Sequence, residues 1–200
     1  MVRKARKGDI CEGEAMKLGR RPADEAELNS ILRNAYSLAM KGQYAEALDI
    51  CNWLIENPTT EIAGLRKRSA VLEHKRDVAG AITDLQTVIR LCPDEPADYY
   101  SLGILLLSSG ETLSAVSAFT SALKIGETRD FTYYKDPSLL FRAEAQLKLT
   151  QYKKALDDVQ SLPDGFGTYI PGTGMRTKEN IAKEAKDGIE CEERNRFKMR

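Results

Sequence analysis

Ala47, Ala81 and Ala115 stand 34 residues apart, and Ala155 follows after a further 40. Each lies in a similar phrase: a bulky residue, two variable ones, alanine, then an aliphatic. The copies read Tyr44-Ala45-Glu46-Ala47-Leu48, Val78-Ala79-Gly80-Ala81-Ile82, Thr112-Leu113-Ser114-Ala115-Val116 and Tyr152-Lys153-Lys154-Ala155-Leu156, with Thr112 the poorest fit at the bulky position. A fixed period of this length marks a repeat architecture, and 34 residues is the length of one class of helix–turn–helix repeat.

The helical period supports this. In residues 28–61, Ile31, Ala35 and Leu38 make one apolar face, Gly42 marks a turn, and Ala47, Leu48, Cys51, Leu54 and Ile55 make a second face that ends at Pro58. Residues 62–95 repeat the scheme with Leu65, Ser69 and Leu72, then Ala81, Ile82, Leu85, Val88 and Ile89, but their turn (Lys75-Arg76-Asp77) lacks glycine. Residues 96–129 are the cleanest copy: Tyr99, Leu102, Gly103 and Leu106, a turn at Gly110, then Ala115, Val116, Phe119, Ala122 and Leu123. Residues 136–162 form the fourth copy, with Leu139, Ala143 and Gln146, then Tyr152, Ala155, Leu156, Val159 and Leu162. Small residues recur at two equivalent places: Ala35, Ser69, Gly103 and Ala143 in the first helix, and the four period alanines in the second. Two helices approach to about 8 Å only where side chains are small.

The pattern Tyr99, Leu102-Gly103, Leu106, Ala115, Phe119, Ala122 resembles the tetratricopeptide repeat family, and the resemblance covers residues 28–162. It departs most in the fourth copy, where Arg142 replaces Leu102, and in the stretch 125–136, which holds a six-residue excess with Phe131, Tyr133 and Tyr134. The resemblance implies an all-α fold, a right-handed α-solenoid of four helix pairs spanning residues 23–162. A C-terminal helix over residues 177–200 is expected to cap its bare end, with Ile181, Ala185 and Ile189 as its apolar stripe. Between them residues 163–176 read as a glycine-rich loop, and residues 1–22 as a flexible N-terminal segment.

Composition narrows the function. Lys plus Arg and Asp plus Glu number 30 each, which gives no global charge signal for nucleic acid or membrane. No apolar run is long enough to span a bilayer, and the basic start at Arg3, Lys4, Arg6 and Lys7 lacks the apolar stretch of a secretory signal. Cys11, Cys51, Cys92 and Cys191 are far apart, and His74 is the one histidine, so no metal site is expected and the thiols read as reduced in a cytoplasmic setting. The phosphate-loop and dinucleotide patterns, GxSxG, HExxH and Cys–His signatures do not occur, so neither enzyme activity nor a cofactor is expected. Asp157-Asp158 and Glu192-Glu193 read as solvated helix faces.

In the family that the repeats resemble, the first helices line a concave groove that holds protein partners. Mapped by position, the groove residues here are Leu32 and Tyr36, then Arg66, then Tyr100, Ile104 and Leu107, and finally Leu140, Glu144 and Lys148. A family subtype holds chaperone C-terminal tails with a Lys/Asn/Arg clamp. The matching positions here are Leu32 and Tyr36, Lys67, and Ala97 and Ser101, which do not make that clamp; neither does the register shifted by one repeat. The expected function is a non-catalytic adaptor that binds another protein, as a peptide segment or a folded surface. An immunity or inhibitor protein that neutralises an enzyme or toxin is a second reading, resting on size and architecture. A third is anion or nucleic-acid binding by Gly172-Thr173-Gly174 with Arg176 and Lys178 at a helix start.

Overall fold

The computed structural model describes residues 21–198. The expectations for Cys11, the basic start and all but the last two residues of segment 1–22 lie outside the described residues. Those residues form two compact units, which meet in sequence between Arg76 and Asp77. The first holds α1 (Glu25–Met40), α2 (Tyr44–Ile55) and α3 (Glu61–His74). The second holds α4 (Val78–Leu91), α5 (Pro96–Ser109), α6 (Thr112–Thr128), α7 (Lys135–Lys148), α8 (Tyr152–Gln160), a two-stranded sheet of β1 (Gly167–Ile170) and β2 (Gly174–Thr177), and α9 (Lys178–Lys198). The fold is an all-α helical repeat.

Local chemistry sets the helix ends. The Asp24 carboxylate accepts the Glu27 N–H at 2.8 Å and starts α1. Asp77 caps α4 by accepting the Gly80 N–H at 3.0 Å. Between the helices of each pair one residue takes a left-handed conformation: Gly42 (φ 78°), Arg76 (φ 70°), Gly110 (φ 88°) and Thr150 (φ 56°). Three of these turns close with an N–H two or three positions past the helix reaching back into its last turn: Gln43 to Leu38 O (3.0 Å), Glu111 to Leu106 O (2.8 Å) and Gln151 to Gln146 O (2.8 Å). Arg76 and Thr150 therefore make the turn that glycine makes elsewhere.

Helix contact is closest where the side chains are small. Ala35, Ala47, Ala81, Ala115, Ala143 and Ala155 are all fully buried. A Cβ on Gly103 would stand 2.6 Å from the Phe119 ring. The first unit's core joins Ala35, Leu38, Ala47, Cys51, Leu54 and Val71. A core cluster in the second unit joins Leu139, Leu140, Ala143, Leu147, Ala155 and Val159 to Ile181 and Ala185 of α9. Gly188 lets α9 lie directly on Tyr152, since a Cβ there would meet the ring at 2.5 Å.

Two sequence expectations are corrected. Residues 163–176 are not a loop throughout: β1 and β2 pair antiparallel, with Thr168 opposite Arg176, Tyr169 opposite Met175 and Ile170 opposite Gly174. Gly172 (φ 77°) and Gly174 (φ 98°) serve the tight reversal between the strands. Asp158 does not face water but is 8% exposed, because Arg142 of α7 binds both its oxygens.

Candidate functional site

On the first unit, Tyr36 of α1 is 40% exposed and meets α3 through two contacts. Its hydroxyl lies 3.3 Å from His74 Nε2, with the rings edge to face at 5.3 Å between centroids. Lys67 Nζ stands 5.1 Å from the centre of the same ring. Burial pulls the Lys67 ammonium below its ordinary pKa, an effect Cys51 partly opposes. Leu32 and Arg66 are half-buried, and Met40, one turn beyond Tyr36, is 59% exposed. Spacing of 38 residues brings Tyr36 and His74 together because it is one repeat plus one helical turn. The result is a small aromatic and cationic patch.

The predicted residues of the second unit separate into two groups. Tyr100 and Ile104 on α5 are half-buried, and Lys148 on α7 is exposed. Leu107, Leu140 and Glu144 are buried, at 8%, 0% and 4% exposure. Leu140 belongs to the core cluster, so it offers no surface to a partner. Glu144 keeps a charged contact with Lys148 at 3.7 Å.

Tyr100 is not an isolated anchor. It sits in a ladder of rings: 5.1 Å from Tyr134, 5.7 Å from Phe141 and 6.1 Å from Phe119, centroid to centroid. The ladder continues through Tyr134 to Tyr133 (4.9 Å) and Phe131 (5.9 Å), which are 75% and 44% exposed. Burial, with Tyr134 and Tyr133 adding to it, pushes the Tyr100 phenol up to about 12. The excess residues of the 125–136 stretch thus carry an aromatic path from the buried Phe119 to the surface. Beside it, a cleft of about 490 Å³ opens between α6 and the start of α7, with Lys124, Glu127, Phe131 and Leu139 among its walls.

The sequence offers Arg176 to an outside anion, but the structure gives it two carboxylates of the chain itself. The guanidinium donates from Nε to Glu144 Oε2 at 2.7 Å and from Nη2 to Glu184 Oε2 at 2.6 Å, binding β2 to α7 and α9. Burial opposes its charge, but the two carboxylates outweigh burial and raise its pKa. Lys178 likewise donates to Leu162 O and Asp164 Oδ1, each at 2.7 Å. Both cations that the sequence offered to an anion already have partners within the chain. Among the described residues, no cluster of His, Cys, Asp or Glu is arranged to hold a metal ion, and no helix is long and apolar enough to cross a membrane.

No protein-family model matches the chain, and no curated protein matches it. Solved structures do. A Podosopora anserina protein of nearly identical TPR-like repeats aligns with a TM-score of 0.62 at 14% identity, over 88% of this chain and 92% of that one. The crystal structure of MamA aligns with a TM-score of 0.55 at 16% identity, over 84% of this chain and 81% of that one. A fragment of MamA from Desulfovibrio magneticus RS-1 aligns with a TM-score of 0.55 at 15% identity, over 66% and 72%. At these identities the likeness establishes the fold, which is of the tetratricopeptide type.

Proposed function

We propose that the chain is a non-catalytic protein-binding module that works in the cytoplasm and captures its partner on the exposed faces of the first helices of its repeats. The observation that carries this reading is the patch on the first unit. Tyr36 stands 40% exposed, flanked by Lys67 Nζ at 5.1 Å from its ring and His74 Nε2 at 3.3 Å from its hydroxyl. An aromatic ring held by neighbours from another helix loses little freedom on binding, and Tyr and Arg are favoured where partners bind tightly. Leu32 and Arg66 extend this patch. On the second unit the accessible contributors are Tyr100, Ile104 and Lys148. Leu107, Leu140 and Glu144 are buried and offer no surface to a partner.

The partner is another protein, presenting either an extended segment or a folded surface. Crosslinking followed by mass spectrometry identifies it, and titration calorimetry with the purified partner then tests the surface. Tyr36→Ala is the informative variant, because Tyr36 is exposed, whereas Tyr100→Ala would also remove a ring from the ladder. We expect affinity to fall at least tenfold, a change of about 1.4 kcal/mol, at an unchanged melting temperature. Equal affinity would remove this patch from the binding surface.

A further inference from the structure

Glu144 occupies the repeat position held by Tyr36, Ala70 and Ile104, at spacings of 34, 34 and 40 residues. Tyr36 is exposed, and Ala70 and Ile104 are half-buried. Glu144 is 4% exposed, and its neighbour on the same face, Leu140, is fully buried. The difference lies in what covers them. The hairpin of β1 and β2 lies on α7 and α9, with Arg176 on Glu144 and a fully buried Ile170. Ile170, Thr168 and Arg176 share one face of the hairpin, because Thr168 pairs with Arg176 and Ile170 with Gly174. The opposite face leaves Tyr169 and Met175 68% and 62% exposed.

We infer that the face of α7 around Glu144 is a receptor site for an extended, arginine-bearing segment, and that the chain's own hairpin fills it until a partner segment displaces it. This rests on the protein-binding reading above and deepens it. Charge complementarity identifies the occupant. A carboxylate buried as deeply as that of Glu144 demands a cation within hydrogen-bond reach, and Lys148 at 3.7 Å does not meet that demand. A guanidinium does, since its fork serves Glu144 and Glu184 at once. In the hairpin the two groups come from opposite strands, Ile170 of β1 and Arg176 of β2, so an occupant must bring an apolar side chain and an arginine onto one face. Displacement is feasible because a two-stranded hairpin has little stability apart from the helices it packs on, and a segment that brings the same groups replaces those contacts.

The test uses the full chain with residues 167–176 replaced by a glycine–serine linker of equal length, and a fluorescein-labelled synthetic peptide of residues 166–177 as the probe. Circular dichroism first establishes that the variant is folded; if it is not, Arg176→Ala in the full chain takes its place. We expect fluorescence anisotropy to report binding to the variant. Affinity should fall at least tenfold when the peptide carries Ala in place of Arg176, and at least tenfold when the variant also carries Glu144→Gln. The intact chain should bind at least tenfold more weakly, because its own hairpin competes. No binding to the folded variant, indifference to the arginine or to Glu144, or equal binding to the intact chain would each overturn the inference. The assay contains no outside partner, so it can fail while the Tyr36 test succeeds, and the reverse.

Discussion

Arg142 stands where the preceding repeat has Leu102, and the exchange makes sense only with Asp158 in view. The guanidinium binds both Asp158 oxygens at 2.8 and 2.6 Å and donates from Nη1 to Thr120 at 3.0 Å. Removing one partner leaves a buried charge uncompensated. Arg142→Met should therefore destabilise the protein by about 3 kcal/mol, whereas Arg142→Leu combined with Asp158→Leu should come close to wild type in a urea melt. A small effect in the single variant would mean that the pair is solvated. Thr150 is strained in another way, being β-branched at φ 56°. Thr150→Gly should stabilise the protein by about 0.5–1 kcal/mol, the left-handed penalty less the entropy cost of glycine. Tyr100 supplies a third test. Its folded pKa of about 12 lies above the ordinary 10, so the fold favours the neutral phenol. That contribution is complete below pH 10 and is lost as pH rises toward 12, and Tyr100→Phe should flatten the stability–pH curve in this window.

At the scale of elements, the hairpin and α9 depend on one another. Thr177 ends β2 and begins the cap of α9, donating its N–H to Asn180 Oδ1 at 2.9 Å and accepting the Asn180 N–H on its hydroxyl at 3.3 Å. Glu179 accepts the Gly165 N–H at 2.7 Å, and Lys178 holds Asp164. These bonds hold both carboxyls below their ordinary pKa values, Asp164 through Lys178 and Glu179 through the Gly165 N–H first. A depressed folded pKa gives stability that is present above the ordinary values of 3.8 and 4.5 and lost as pH falls through the lower folded ones. Hydrogen exchange, corrected for intrinsic rates, should therefore rise at Gly165 and in β1 and β2 below pH 4 while α5 and α6 stay protected. Uniform exchange across these elements would show that the junction bonds are immaterial.

At the scale of the molecule, a stack of repeats must end somewhere, and its last pair would otherwise expose an apolar face. Here α9 covers that face: Ile181 and Ala185, both fully buried, pack with Leu139, Leu147 and Val159. Deleting residues 178–198 should lower the melting temperature and raise the binding of a hydrophobic dye such as ANS. A truncated chain that melts like wild type would mean that α9 is not the cap. The rest of the stack shows why the period was so readable. Ala115 and Gly103 are small because helices touch there, and that demand returns in every repeat. By contrast, Arg176 lies outside the repeats, and the apolar period does not reveal that Glu144 and Asp158 are buried. Their partners come from other elements, 32 and 16 residues away, so no local pattern announces them.

The order of amino acids alone determined the helix pairs, their turns and the small residues at their contacts, because these follow from interactions within a few helical turns and recur every 34 residues. Tertiary structure decided which polar residues are buried, where the hairpin lies, and which members of the expected groove remain open. Glu144 and Tyr36 occupy the same place in their repeats, yet one is 4% exposed and the other 40% exposed. The physical reason is coverage: what a helix face meets depends on the segment folded over it, and the glycines of 163–176 allow a chain reversal without specifying where it docks.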